Sequence, residues 1–173
     1  GLDTNQSVVD RLNAAASHID DVSDAELAAG LSAGFSASVD PSVIADADVV
    51  VVCVPTPLAE EGGPDLAPVR AAAAAIGQHV TPGTLCIWVD TYPGTTEEVF
   101  APLVCGEKYE PGQDVFIAFS PERIDPGNQR FGVRNTPKVV GGLTPECGHR
   151  ARDFYAHFID TVVVAKRARE AEM

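Results

Sequence analysis

The sequence predicts an α/β protein built around a doubly wound, mainly parallel sheet. Runs of largely apolar residues at 49–54, 84–89 and 115–119 are typical of strands that are buried on both faces. Segments with helical character separate these runs, and strands that alternate with helices form parallel sheets. A chain of 173 residues, of which 45% are hydrophobic, is long enough for one domain with a substantial core.

The first third of the chain predicts three helices and one strand. A strand end leads into a helix over residues 3–15, and Asp24 is expected to cap a short second helix. Asp40 precedes Pro41, and a capping residue followed by proline favours the start of a helix. The first buried strand is predicted over residues 48–54.

The middle of the chain predicts a helix before each further strand. An alanine-rich helix over residues 65–80, capped by its first aspartate, precedes the strand at 84–89. Thr95 and Glu98 have the spacing of a capping box, so a helix is expected to begin there. The strand at 115–119 follows this helix.

The last third predicts two strands and two helices. A short strand at 138–141 is followed by a helix at 144–158, a strand at 161–165 and a final helix that begins at Arg167. The loop at 122–137 is long for a connector, and loops of this length are usually functional or disordered.

Charge and cysteine spacing limit the partners. The net charge of −13 argues against binding to nucleic acid or to an anionic membrane, since both need clustered Lys and Arg. No apolar segment approaches membrane-spanning length, and no secretory signal is expected. The cysteines fit neither a zinc pattern nor a redox motif, so no metal is expected. Reduced structural thiols are predicted at Cys53, Cys86, Cys105 and Cys147, and they favour a cytoplasmic protein.

The loop at 120–128 carries the strongest functional signal. It places Glu122, Arg123 and Asp125 just beyond the C-terminal end of a predicted strand, and prolines and a glycine stiffen it. Ligands bind at that edge of open α/β sheets. We therefore predict that these charged side chains line a ligand site.

Two other strand ends open into polar, proline-containing loops at the same edge. Val54, Pro55 and Thr56 end one strand, and Thr91 follows the next. Each loop alone fits an ordinary turn, but three such loops favour a site. Asp3 ends a further predicted strand, and its role stays open between a turn or cap residue and a ligand of an adenosine ribose.

Five motifs, in order along the chain, resemble the UDP-glucose/GDP-mannose dehydrogenase family. They occupy residues 48–57, 62–66, 92–98, 120–128 and 137–142. The Ser-Pro-Glu-Arg-x-Asp-Pro-Gly-Asn form of the fourth motif is most similar to bacterial members that oxidise UDP-N-acetylhexosamines, with UDP-N-acetylglucosamine favoured.

The resemblance implies a Rossmann-like NAD-binding domain over residues 1–165, lacking its first βα unit, and the start of a central dimerisation helix over 166–173. It implies NAD as the cofactor, a UDP-sugar as the substrate and a homodimer or larger assembly for the full-length protein. The implied reaction oxidises the sugar C6 alcohol to a carboxylate in two hydride transfers, through a thiohemiacetal and a thioester on a cysteine.

The resemblance also implies which residues hold the cofactor. Asp3 would bind the adenosine ribose, while Val54, Pro55 and Thr56 would line the NAD site. Thr91 would lie near the nicotinamide and the reacting water, as a catalytic and cofactor-binding residue.

For the chemistry, the resemblance implies that Glu122 is the acid/base residue of hydrolysis. Arg123 and Asp125 would face the sugar nucleotide together with Glu122. The family's catalytic lysine, asparagine and cysteine would follow Met173, so this chain alone is not expected to complete the reaction.

Departures from the family pattern occur at two places. Val-Asp-Thr stands at 89–91 where the family usually has Glu-Ser-Thr, and Val8 stands where relatives often have Lys or Arg. Two other functions stay open, a nucleotide-binding module without catalysis and a different NAD(P) dehydrogenase with a similar scaffold. UDP-N-acetylmannosamine and UDP-glucose are the alternative substrates.

Overall fold

The computed structural model describes residues 1–19, 21–57, 63–89, 92–123, 130 and 132–173. These residues form two compact units, Gly1–Val43 and Ile44–Met173. Among the helices in the described ranges, none is long and apolar enough to cross a membrane.

The first unit consists of two helices and a β-bridge between Leu2 and Ser38. Helix α1 spans Gln6–Asn13, and helix α2 spans Asp24–Ser32.

The capping of α2 differs from the prediction that Asp24 caps it. Ser23 is the N-cap, and its hydroxyl accepts the N–H of Glu26 at 3.3 Å. The Glu26 carboxylate accepts the N–H of Ser23 at 2.9 Å, which completes a capping box. Asp24 instead accepts the N–H of Ser17 at 2.7 Å. Hydrogen bonds from the Ser23 side chain and backbone lower the pKa of Glu26.

The second unit alternates strands and helices as predicted. A short 3-10 helix, Pro41–Asp46, spans the boundary between the units along the chain. The elements that follow are β1 (Val49–Val52), α3 (Ala67–His79), β2 (Leu85–Trp88), a π-helical turn (Thr96–Phe100) that continues into α4 (Ala101–Cys105), β3 (Phe116–Phe119), β4 (Lys138–Gly142), α5 (Pro145–Tyr155), β5 (Val162–Ala165) and α6 (Ala168–Ala171).

The five strands form one mainly parallel sheet, which confirms the predicted fold class. Their order in the sheet, β1-β2-β3-β4-β5, is also their order along the chain. The pairs β1–β2, β2–β3 and β4–β5 are parallel, whereas β4 runs antiparallel to β3 with Phe119 opposite Gly141.

Two apolar clusters cover the two faces of the sheet because side chains alternate along the strands. Trp88 and Ile117 lie in the cluster that includes residues of α3, α4 and α6. Ile87 and Ala118 lie in the cluster that includes residues of α5. Helices on both faces are the arrangement expected of a doubly wound sheet.

Burial of β1 does not match its sequence. Four consecutive valines predict a strand that is buried on both faces, yet Val51 is 40% exposed and only Val52 is buried. The reason is position, because β1 lies at an edge of the five-stranded sheet. Cys53, predicted to be a buried structural thiol, is exposed beyond this strand, while the other three cysteines are buried and all four are free.

Candidate functional site

The C-terminal ends of β1, β2 and β3 lie along one edge of the sheet because these strands are parallel. Beyond β1, Val54 is half-buried against the core and Thr56 is half-buried, while Pro55 between them is exposed. Further along, the Pro57 carbonyl accepts the N–H of Asp65 at 2.7 Å. This hydrogen bond joins the segment after β1 to the segment before α3, and residues 58–62 lie outside the described residues.

The end of β2 leads into the Pro-Gly-Thr-Thr segment. Val89 is half-buried, and the predicted site residue Thr91 lies outside the described residues. Farther on, the N–H groups of Gly94 and Thr96 donate to the carboxylate of Glu172, at 2.5 and 2.9 Å. Glu172 is 9% exposed and follows α6.

Glu172 replaces the predicted capping box. The Thr95 hydroxyl donates to the carbonyl of Tyr92 rather than accepting from the helix, and Glu98 pairs with Arg169. The N–H groups at the start of this helix therefore find their acceptor in a carboxylate that is distant in sequence.

The end of β3 carries the charged residues that the sequence singled out. Ser120 is buried, and its hydroxyl donates to the carbonyl of Val139 at 2.8 Å. Glu122 and Arg123 follow and are exposed, and the Arg123 N–H donates to Glu122 Oε1 at 2.7 Å. Asp125 lies outside the described residues.

Lys138 lies beside this candidate site and was missed by the sequence prediction. Its side chain is 9% exposed, and its Nζ lies 3.0 Å from Oε2 of Glu122. It also lies 5.4 Å from the centre of the Tyr155 ring. A lysine at the start of an apolar strand was the available signal, because lysine is almost never buried unless it is paired.

A cavity of about 230 Å³ lies between the ends of β2 and β3 and the residues after α6. Val89 and Phe119 form part of its wall, and Glu122, Arg123 and Glu172 contribute charged groups. The structure therefore brings Glu122 and Arg123 together at a concave, charged surface. That this surface binds a ligand stays a prediction.

Two further titratable groups lie in the field of the Glu122–Lys138 pair. Burial raises the pKa of the Tyr155 hydroxyl, and a hydrogen bond with Ser120 partly opposes that rise. The negative charges of Cys53 and Glu122 raise the same pKa further. Cys53 has an exposed surface, yet protein atoms around its thiol raise its pKa. Lys138 opposes that rise and Glu122 adds to it.

Asp3 belongs to the first unit, before α1. It is exposed, and its Oδ1 accepts the N–H of Asn5 at 2.8 Å. It also lines a cavity of about 370 Å³ whose walls include Val8, Leu12 and Ile19. A carboxylate thus borders a largely apolar recess within this unit.

Comparison with known proteins identifies the family. Residues 1–159 match the model of the UDP-glucose/GDP-mannose dehydrogenase family, NAD binding domain. The chain is 34% identical, over its whole length and 43% of the relative, to UDP-N-acetyl-D-mannosamine dehydrogenase of Salmonella typhi. It is 32% identical to UDP-N-acetyl-D-glucosamine 6-dehydrogenase of Pseudomonas aeruginosa, over 99% of the chain and 42% of the relative.

Similarity extends to solved structures. A UDP-D-ManNAc dehydrogenase structure from Pyrococcus horikoshii superposes with a TM-score of 0.92 at 27% identity, covering 99% of this chain and 42% of that one. The chain spans about 43% of the length of the curated relatives that it matches end to end. Because the family match covers residues 1–159 of 173, the chain belongs to the UDP-glucose/GDP-mannose dehydrogenase family and carries its NAD-binding domain.

Proposed function

We propose that the protein containing this chain is an NAD-dependent UDP-sugar 6-dehydrogenase. It oxidises the C6 alcohol of a UDP-N-acetylhexosamine, with UDP-N-acetylglucosamine favoured, to the carboxylate in two hydride transfers. The observation that carries this proposal is the Glu122 carboxylate, which lines a cavity at the sheet edge and is held 3.0 Å from a buried lysine. UDP-N-acetylmannosamine is the second candidate, because relatives with that named activity are up to 34% identical to this chain.

The residues present fit NAD at two places. Asp3 supplies a carboxylate for the ribose hydroxyls beside a recess whose apolar walls suit the adenine ring. In the second unit, Val54, Pro55, Thr56 and the predicted Thr91 supply the cofactor-facing surface at the strand ends. When bound, NAD⁺ accepts the hydride from the substrate carbon.

Glu122 is proposed to act as the base in hydrolysis of the acyl intermediate. It removes a proton from the water whose oxygen attacks the acyl carbon, and the thiolate of the family's cysteine leaves as that bond breaks. Arg123 and the predicted Asp125 bind the sugar nucleotide, and the Arg123 guanidinium suits a phosphate group. Glu122 has the reach for this role because it lines the cavity rather than the core.

Domain organisation follows from the same proposal. Residues 1–165 form the NAD-binding domain, and residues 166–173, which contain α6, begin the central helix around which the full-length protein forms a homodimer or larger assembly. We also propose a cytoplasmic protein that binds neither nucleic acid nor membrane.

The experiment uses the protein of family length that contains this chain. Each UDP-sugar is supplied in limiting amount with excess NAD⁺, and NADH is counted against sugar consumed. Two NADH per sugar are expected with UDP-N-acetylglucosamine. One NADH per sugar, or none with any UDP-sugar, rejects the proposal, and NAD binding without turnover identifies a non-catalytic nucleotide-binding module instead.

Glu122→Gln tests the assigned residue. An amide cannot take the proton from water, so the acyl-enzyme should accumulate and turnover should fall by about 10²- to 10⁴-fold. Mass spectrometry of the quenched protein detects the acyl group. Unchanged steady-state turnover removes Glu122 from the hydrolytic role.

A further inference from the structure

The burial of Lys138 needs an explanation beyond the fold. Lysine almost never loses its contact with water unless a partner compensates its charge. The Lys138 side chain is 9% exposed, and the Glu122 carboxylate is the compensating charge at 3.0 Å. Glu122 itself is 53% exposed, so the pair consists of a buried cation and an anion that faces outward.

The antiparallel strand explains how the lysine reaches this edge. Phe119 pairs with Gly141, and the same register, continued for three residues, places Glu122 opposite Lys138. A hydrogen bond from the Ser120 hydroxyl to the Val139 carbonyl at 2.8 Å holds the two strands together just before that pair. A parallel β4 would place its first residue at the opposite edge of the sheet.

Both oxygens of the Glu122 carboxylate are engaged. Oε2 accepts from Lys138 at 3.0 Å, and Oε1 accepts the N–H of Arg123 at 2.7 Å. The Tyr155 ring lies 5.4 Å from Lys138 Nζ and limits where the ammonium can go. Separating this pair would leave the buried ammonium without a compensating charge, which favours the paired position of the Glu122 carboxylate.

We infer that Lys138 is a positioning residue, whose ammonium holds the Glu122 carboxylate in place at the wall of the cavity. Its consequence for catalysis rests on the proposed function, whereas the charge pair itself does not. The two parts are therefore tested separately.

The charge pair is tested on this chain through the thiol of Cys53. Lys138 lowers and Glu122 raises the pKa of this thiol, against a background of burial that raises it. Only the thiolate reacts with iodoacetamide, so Lys138→Met should slow the labelling of Cys53 at neutral pH, and Glu122→Gln should accelerate it, each by about two- to fivefold. Cys53→Ser gives the background from the three buried cysteines.

Opposite changes in the rate of Cys53 labelling in the two variants distinguish an electrostatic effect from a loss of local structure. If the contact between Lys138 and Glu122 were merely structural, breaking it from either side would loosen the strand ends. Labelling of Cys53 would then be faster in both variants. Lys108→Met is the matched control, because Lys108 also lies over a tyrosine ring, 4.5 Å from the centre of Tyr109, but is exposed and does not contribute to the pKa shift of Cys53. Faster labelling of Lys138→Met than of the unmodified chain overturns the charge pair.

The catalytic part is tested in the protein of family length. Lys138→Met should lower kcat by about 10- to 100-fold with little change in the KM for NAD, and Lys138→Arg should restore much of the loss because it keeps the charge. Equal kcat for Lys138→Met and the unmodified protein overturns the positioning role. If the unmodified protein oxidises no UDP-sugar, the proposed function fails, while the labelling experiment still decides whether the charge pair exists.

Discussion

Replacing Glu172 by alanine is expected to destabilise the second unit, because two buried backbone N–H groups lose their acceptor. The carboxylate accepts from Gly94 at 2.5 Å and from Thr96 at 2.9 Å, and Glu172 is 9% exposed. Each unsatisfied buried donor costs about 1–3 kcal/mol, so the two together cost about 2–6 kcal/mol. Removing a desolvated carboxylate offsets part of this cost, which leaves about 2–4 kcal/mol.

Glu172→Gln separates hydrogen bonding from side-chain size. The amide keeps one acceptor oxygen, so one N–H stays paired while the other faces an NH₂ group. About half the loss of the alanine variant is therefore expected. Urea unfolding gives the free energy of unfolding, and hydrogen exchange at the Gly94 and Thr96 amides locates the effect, with about tenfold faster exchange for each 1.4 kcal/mol lost.

Glu170→Gln is the control, because Glu170 lies in α6, which Glu172 directly follows. The Glu170 carboxylate is exposed and accepts the N–H of Lys166 at 3.0 Å, so its replacement should change the free energy of unfolding by no more than about 1 kcal/mol. If Glu172→Ala differs from the unmodified chain by less than about 0.5 kcal/mol, the size of an ordinary surface change, then Glu172 does not secure the helix start and the reasoning is refuted.

Two further predictions concern stability. Burial raises the pKa of Cys86 to about 12 and that of Cys105 to about 11, so these thiols stay protonated when folded while unfolded thiols ionise from about pH 9. The free energy of unfolding should therefore fall as pH rises from 9 towards 11, by up to about 1.4 kcal/mol per pH unit for each thiol. If a variant with alanine at both positions loses as much stability over this pH range as the unmodified chain, the prediction is wrong. Gly77→Ala should cost about 1–3 kcal/mol, because the new methyl group meets the Leu103 carbonyl at 2.5 Å. Gly30→Ala, with its nearest neighbour at 3.8 Å, should instead stabilise its helix by about 0.5–1 kcal/mol in thermal unfolding, and equal effects at the two glycines would rule out the steric explanation.

Elements that depend on local patterns were predictable. The apolar runs at 85–88 and 116–119 form strands that are buried on both faces, as expected. Thr144 caps α5 through the N–H of Cys147, at the predicted helix start. These features need only neighbouring residues, so the sequence carries them directly.

Features that depend on partners distant in sequence were not predictable. The spacing of Thr95 and Glu98 fits a capping box, but their N–H groups donate to backbone carbonyls instead. Glu172, more than 70 residues away, accepts the neighbouring N–H groups of Gly94 and Thr96. The same limit hid Lys138, because its contact with Glu122 depends on an antiparallel register that strand patterns do not reveal. Exposure of Val51 likewise depends on which strand lies at the edge of the sheet.

The strand order has a consequence for how the protein is made. Each strand from β2 to β5 pairs with the strand that precedes it in the chain. As the polypeptide leaves the ribosome, each of these four strands therefore meets a partner that is already outside. We expect the sheet to grow vectorially during translation, from β1 towards β5, with the antiparallel turn at β4 as its last change of direction.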